Sequence, residues 1–335
     1  MGWLRRAALY SVASLVGLAI AGAAYQAIAT ANDRYEFPPP GKLLDVGGFR
    51  LHIQCTGNVV WGVPTVILEP GTGLASPAWA LIQASVSKQA RVCSYDRAGN
   101  GWSDASPMPR DASHIDAELH TLLERAEITG PFILVGHSMG GMYMRAYRDA
   151  HPSEVVGLVL VDSSNPYQLV RSSKRSAEIE SGKRLLQIVP WLARLGIVRL
   201  TGLAEPEYFD MPSIEKDEMT AFAATPQQSI VGLAELSAFP EATALLSKAA
   251  SLGSLPLVVV SARKGVDADW PDLQADLAKL SSNSVQRTVV GVDHTSLLFS
   301  ENGAYAVSAA ILAVLDAAKT GTLLTASSLE NGPLR

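Results

Sequence analysis

The sequence predicts an α/β protein: a mostly parallel eight-stranded sheet flanked by helices, with a helical cap inserted late in the chain. Three observations predict it. Short apolar runs alternate with helical patterns from residue 90 to 161 and again from 257 to 317, the signature of strands connected by crossover helices. The stretch 165–254 between them lacks strand signals and carries helical apolar spacing, as in Leu185, Leu186, Val189, Leu192, Leu195 and Ile197, broken by Pro190 and Gly196. Finally, 335 residues of which 48% are hydrophobic are ample for a large core.

Residues 1–32 stand apart. Arg5 and Arg6 precede an uncharged, largely apolar run from Ala7 to Asn32, long enough to cross a bilayer and almost without a polar face up to Ala24. Two readings remain open: a retained transmembrane anchor with its arginines in the cytoplasm, or a cleaved signal ending at Ala27-Ile28-Ala29 or Ala29-Thr30-Ala31. The length of the run favours the anchor. Both readings place the remainder outside the cytoplasm, membrane-anchored or exported.

A polar stretch and Pro38-Pro39-Pro40 form a linker over 33–40, too rigid and donor-poor to continue a helix. The folded domain is expected over 41–320, followed by a tail at 321–335. Leu43 to Val46 and Phe49 to Cys55, separated by Gly47-Gly48, read as a hairpin, and Thr65 to Leu68 as a short buried strand. Ala90 to Tyr95, Phe132 to Val135 and Val155 to Val161 follow as strands, with helices from about Ala112 to Ala126 and Met139 to Ala150. Leu257 to Val260 and Gln286 to Val292 complete the strands, with helices near Leu273 to Leu280 and Ala304 to Ala317.

The net charge of −5 and pI near 5.7, with charges scattered along the chain, give no electrostatic footprint for nucleic acid. A small-molecule substrate is the expected partner, and oligomeric state is not legible.

The chemistry concentrates in Gly136-His137-Ser138-Met139-Gly140, set between the strand Phe132 to Val135 and a helix. This Gly-x-Ser-x-Gly context is a nucleophile elbow: the serine sits on a tight turn, and the glycines let strand and helix approach closely. A serine hydroxyl needs an adjacent base oriented by a third group. Of the six histidines, His294 alone follows the final strand, in Gly291-Val292-Asp293-His294, where a loop can return a side chain to the elbow. The orienting acid is left open. Asp162 ends Leu158-Val-Leu-Val-Asp162 and is the first candidate. Asp267 follows Pro256-Leu-Val-Val-Val-Ser261 by a loop and is the second, with Asp269 behind it. The tetrahedral intermediate needs two amide donors: Met139, after the nucleophile, and Thr72 in Pro70-Gly71-Thr72-Gly73, with Gly73 next in line. No histidine and cysteine cluster has metal-ligand spacing, so neither metal nor organic cofactor is expected.

These residues resemble the α/β-hydrolase superfamily, in particular exported or membrane-anchored bacterial members with a helical cap, over roughly Gly41 to Ala318. The likeness extends to Tyr95-Asp96-Arg97-Ala98-Gly99-Asn100-Gly101-Trp102-Ser103, which is similar to the family's loop after the fourth strand and mainly structural there. The resemblance implies acyl transfer to water, with an ester as the natural substrate and the apolar cap suggesting a hydrophobic one. Haloalkane dehalogenases and epoxide hydrolases of similar fold carry aspartate at the elbow, which Ser138 argues against. A C–C bond hydrolase, an aminopeptidase or a non-enzymatic ligand-binding member are the alternatives. The usual His-Gly oxyanion entry is replaced by Glu69-Pro70-Gly71. In the family's strand order the second and fourth strands are neighbours, which implies a disulfide between Cys55 and Cys93.

Overall fold

The computed structural model describes residues 2–203 and 210–330. Eight strands form one sheet in the order β1-β2-β4-β3-β5-β6-β7-β8: β1 (Lys42–Asp45), β2 (Arg50–Thr56), β3 (Thr65–Glu69), β4 (Val92–Tyr95), β5 (Phe132–His137), β6 (Val155–Val161), β7 (Leu257–Ala262) and β8 (Ser284–Val289). The β1/β2 and β2/β4 pairs are antiparallel and every later pair is parallel. β3, β5 and β7 are buried at every position, which is why they read as continuous apolar runs: helices cover both faces of a parallel sheet. β8, at the edge, mixes Ser284, Gln286 and Arg287 with valines.

Helices α2 (Ala80–Val86), α12 (Ser296–Phe299) and α13 (Glu301–Thr320) pack on one face, sharing a core with Val66, Val135, Val159 and Val260. Helices α3 (Ala112–Arg125) and α4 (Met139–Ala150), with the end of α11 (Trp270–Ala278), cover the other, against Ile67, Leu134, Leu158 and Val259. Between β6 and β7 the cap supplies α5 (Gln168–Arg171), α6 (Ser173–Arg194), α7 (Ile197–Thr201), α8 (Ser213–Ala223), α9 (Pro226–Ser237) and α10 (Phe239–Leu246). These helices run from Gln168 to Leu246, within the stretch 165–254 expected as a cap; 204–209 lie outside the described residues, as do 331–335 of the expected tail.

Cys55 and Cys93 stand directly opposite each other on β2 and β4 and form a disulfide. The strand adjacency that implied the bond is thus present.

Four expectations need correction. The amino-terminal helix α1 (Gly2–Glu36) runs past residue 32, so the linker begins only at Phe37: Asp33 pairs with Arg199 and stays helical. A helix not anticipated, α2, follows a 3-10 turn at Ser76–Trp79, and its signal was present in the spacing of Trp79, Ile82 and Val86, all fully buried. The folded domain does not end at residue 320: Leu324 and Leu329 join the core, and the Leu324 amide donates to Asn283 Oδ1 at 2.8 Å. Helix α11 begins at Trp270, ahead of the expected Leu273, because a proline fits the first turn, where Pro271 stands.

Candidate active site

Ser138 is the single residue between β5 and α4. Its backbone lies at φ 54°, ψ −126°, a conformation that costs a non-glycine residue about 1–3 kcal/mol and must be held by its surroundings. The Ser138 amide donates to Val161 O at 3.1 Å and its carbonyl accepts from the Ser164 amide at 2.9 Å, so β6 grips the turn from its next-door position. The flanking glycines have steric causes. A Cβ on Gly136 would fall 2.5 Å from Gly141 Cα, and one on Gly140 would fall 2.7 Å from Pro70 O. Side chains there would push the strand, the helix and the β3 loop apart.

The structure brings His294 to this turn. His137, immediately before Ser138, donates from Nε2 to the His294 carbonyl at 3.1 Å, and the two rings lie 4.4 Å apart. Burial, then the neighbouring His294, pushes His137 down to about 3, so it serves as a neutral donor. His294 Nδ1 lies 2.7 Å from Asp162 Oδ2. Asp162, at the end of β6 with φ 41°, is fully buried, whereas the His294 side chain is 37% exposed. The other Asp162 oxygen accepts from the Ala262 amide at 3.0 Å and Trp270 Nε1 at 2.8 Å. Burial pushes the Asp162 carboxyl up, but the hydrogen bond and charge of His294, with Trp270 and Ala262, outweigh it and hold the group below the usual carboxylate range.

Asp267 is elsewhere. It accepts from Ser172 Oγ at 3.1 Å and lies 3.4 Å from Arg175 Nε, both on the cap. Asp269 precedes α11 without a side-chain capping bond. Of the three acids weighed from the sequence, Asp162 alone meets the imidazole.

The loop after β3 also reaches Ser138. Gly71 abuts the elbow: a Cβ there would fall 3.0 Å from Ser138 Cβ. Thr72 and Gly73 follow, with Gly73 O accepting from Gln228 of α9 at 2.9 Å, while Met139 opens α4 beside the serine. Among the described residues, nothing accepts from the Thr72 amide.

Sequence reasoning missed what holds that loop. Arg97, fully buried, donates to Glu69, to Pro70 O at 2.6 Å and to Gly71 O at 2.9 Å, and grips Glu235 of α9 through Nε at 2.8 Å and a terminal nitrogen at 2.9 Å. Tyr95 Oη donates to Glu69, and Asn100 Nδ2 to Glu235 at 3.2 Å. Burial pushes Glu69 up to about 7 against the pull of Arg97 and Tyr95. Glu235, the second buried carboxylate on the same guanidinium, adds to the rise that burial causes. Arg97 lay within the loop already recognised as structural; Glu235, on a cap helix, carried no signal. Asp96 accepts from the Ser76 amide at 2.6 Å and the Trp102 amide at 3.1 Å, and lies 2.9 Å from His52 Nδ1.

Among the described residues, one group could hold a metal ion: His120, His151 and Glu154. It lies at the far end of α4 from Ser138, about 18 Å away at 1.5 Å per residue. The two imidazoles stack face to face at 4.1 Å, so their lone pairs do not converge on one point.

The alpha/beta hydrolase family model matches residues 66–309. A Schizosaccharomyces pombe protein described as uncharacterized is 28% identical over 300 residues, 79% of this chain. The chain spans 54% of that relative's length and 20–40% of the next ones'. Among solved structures, a thermophilic esterase from Thermogutta terrifontis superposes with TM-score 0.60 at 23% identity, over 81% of this chain and 95% of that one. The Cif epoxide hydrolase from Acinetobacter nosocomialis gives 0.66 at 13% identity, over 84% and 94%.

Proposed function

The chain belongs to the alpha/beta hydrolase family, and from that premise we propose that it is a serine carboxylesterase acting on a hydrophobic ester through an acyl-enzyme on Ser138. The observation that carries this reading is the 2.7 Å contact between His294 Nδ1 and Asp162, made beside a serine held on a strained turn. With Asp162 accepting from Nδ1–H, Nε2 is left as the base. Ser138 Oγ attacks the ester carbonyl as its proton passes to His294 Nε2. The carbonyl oxygen becomes an oxyanion facing the Met139 and Thr72 amides. Collapse breaks the C–O bond, the alcohol leaves with the His294 proton, and water, deprotonated by His294, releases the acid and restores Ser138.

The same reading gives α1 the role of a membrane tether, with the catalytic domain outside the cytoplasm. None of its apolar window is buried in the domain, Arg5 and Arg6 flank its start, and the Cys55–Cys93 disulfide fits an oxidising compartment. The comparably apolar α13 is a core helix, 72% of its window being buried.

The test is fluorophosphonate labelling of the full chain with a panel of esters, amides and diketones. Ester turnover and labelling, both lost in Ser138→Ala, are expected. Undiminished turnover in that variant would refute the nucleophile. Labelling with turnover of amides or diketones alone would redirect the reading to an aminopeptidase or a C–C bond hydrolase.

A further inference from the structure

The helix α1 does not leave the domain freely. Its less exposed residues fall at Ala19, Gly22, Gln26, Ala29, Thr30 and Asp33, the three-and-four spacing of a helix face laid on a partner. That partner is the cap. A Cβ on Gly22 would collide with the Leu195 carbonyl, and one on Gly196 would fall 2.7 Å from the Tyr25 ring. Gln26 Nε2 donates to Ala224 O at 3.1 Å, and Arg199 pairs with Asp33 at 2.6 Å. Trp102 Nε1 fixes the helix exit by donating to Phe37 O at 2.8 Å. Cap and exit both lie at the carboxyl edge of the parallel strands, the edge on which β5 delivers Ser138.

Above Ala19 the helix is uncovered, with Leu9, Tyr10, Leu15 and Leu18 each at least 66% exposed. From Gly2 to Gly22 is about 30 Å at 1.5 Å per residue, the thickness of a hydrocarbon core, with Arg5 and Arg6 close enough to the amino-terminal end for their long side chains to carry the charges back to the cytoplasmic interface. A bilayer that takes up this segment therefore has its surface at Gly22, level with Leu195. The end of α6 stands there. Trp191, one helical turn before Leu195, is 66% exposed, and Ile188 and Leu185 continue an exposed apolar stripe at three-residue spacing. Arg194 lies over the Trp191 ring at 4.9 Å. A tryptophan with an adjacent arginine on an apolar stripe is the composition favoured where headgroups meet acyl chains.

We propose that the carboxyl-terminal half of α6 is a membrane-contacting face, seating the cap on the lipid surface so that Ser138 receives amphiphilic esters from the bilayer interface. The inference rests on α1 as a membrane tether. Its occupant is the bilayer, since α1 is covalently continuous with the chain and positions this stripe at the surface.

With Cys55 and Cys93 bonded to each other, a single introduced cysteine can be labelled uniquely. The full chain carrying Leu9→Cys, Trp191→Cys or Trp61→Cys is labelled with an environment-sensitive fluorophore and placed in phosphatidylcholine/phosphatidylglycerol vesicles containing doxyl-lipid quenchers. Trp61 is 99% exposed in the β2–β3 connection, at the opposite edge of the sheet. At least twofold quenching is expected at positions 9 and 191 and none at 61. Quenching at 9 without quenching at 191 overturns the cap contact and spares the tether, and so does a position-191 signal that responds to protein density in place of quencher. An unquenched position 9 overturns the tether and the contact together. Equal quenching at 61 also overturns an oriented contact.

Discussion

Two buried carboxylates flank Ser138, and they are treated in opposite ways. Asp162 is held below its ordinary range by an imidazole, an indole N–H and a backbone amide, with no competing anion among those partners. Glu69 is equally buried but shares Arg97 with Glu235 and is pushed up to about 7. Burial raises both; the donors that answer it decide the outcome. On the Asp162 side the result is a fixed negative charge beside the proposed base. On the Glu69 side a carboxyl that titrates near neutral pH and a guanidinium tie the β3 loop to the cap.

Removing the fixed charge should have the largest effect. Asp162→Asn retains shape but cannot favour the correct imidazole tautomer, and kcat for an ester should fall by about 10³–10⁴-fold. A loss below tenfold would return the acid's role to another group.

The next effect is on stability. Glu69 has a folded value raised above the ordinary 4.5 to about 7, so the native state binds the extra proton. Its contribution is complete below about 4.5 and is lost as pH rises through about 7. It totals about 3 kcal/mol, since each tenfold gain in proton affinity is worth about 1.4 kcal/mol. Urea unfolding of Glu69→Gln and the unaltered chain across pH 4.5–8 should therefore diverge, with the unaltered chain losing about 3 kcal/mol relative to the variant. Parallel profiles would mean that Glu69 stays ionised.

What the sequence disclosed follows the same division. The strands were legible because β3, β5 and β7 are buried throughout and so continuously apolar, and Ser138 and His294 because a turn and a chain order mark them. The choice among Asp162, Asp267 and Asp269 depended on donors that no local pattern encodes: the Trp270 indole, and an Ala262 amide made available because β7 runs two residues beyond the expected Val260. Glu69 was visible as a departure from His-Gly. Its partner Glu235 lies 138 residues beyond Arg97 on a cap helix, and only the fold brings such a pair together.

Arg97→Lys tests the other half of the comparison. Lysine keeps the charge but cannot reach Glu69, two loop carbonyls and both Glu235 oxygens at once. If the network positions the Thr72 amide, kcat should drop by about 10–100-fold with KM changed less, because an oxyanion donor acts mainly in the transition state. A change confined to KM would assign Arg97 to cap placement alone.

The smallest expected effect separates the two candidate acids. Asp267 faces Ser172 and Arg175 on the cap and lies in the same loop as Asp269, so its charge touches neither His294 nor the β3 loop. Asp267→Asn should change kcat by less than about threefold, since the lost contacts lie on the cap and away from the imidazole, and leave the pH dependence of turnover unaltered. A loss matching that of Asp162→Asn would mean that Asp267 exchanges with Asp162 at the imidazole during turnover. Comparing the double variant with each single one measures this directly, since independent sites add and exchanging ones do not.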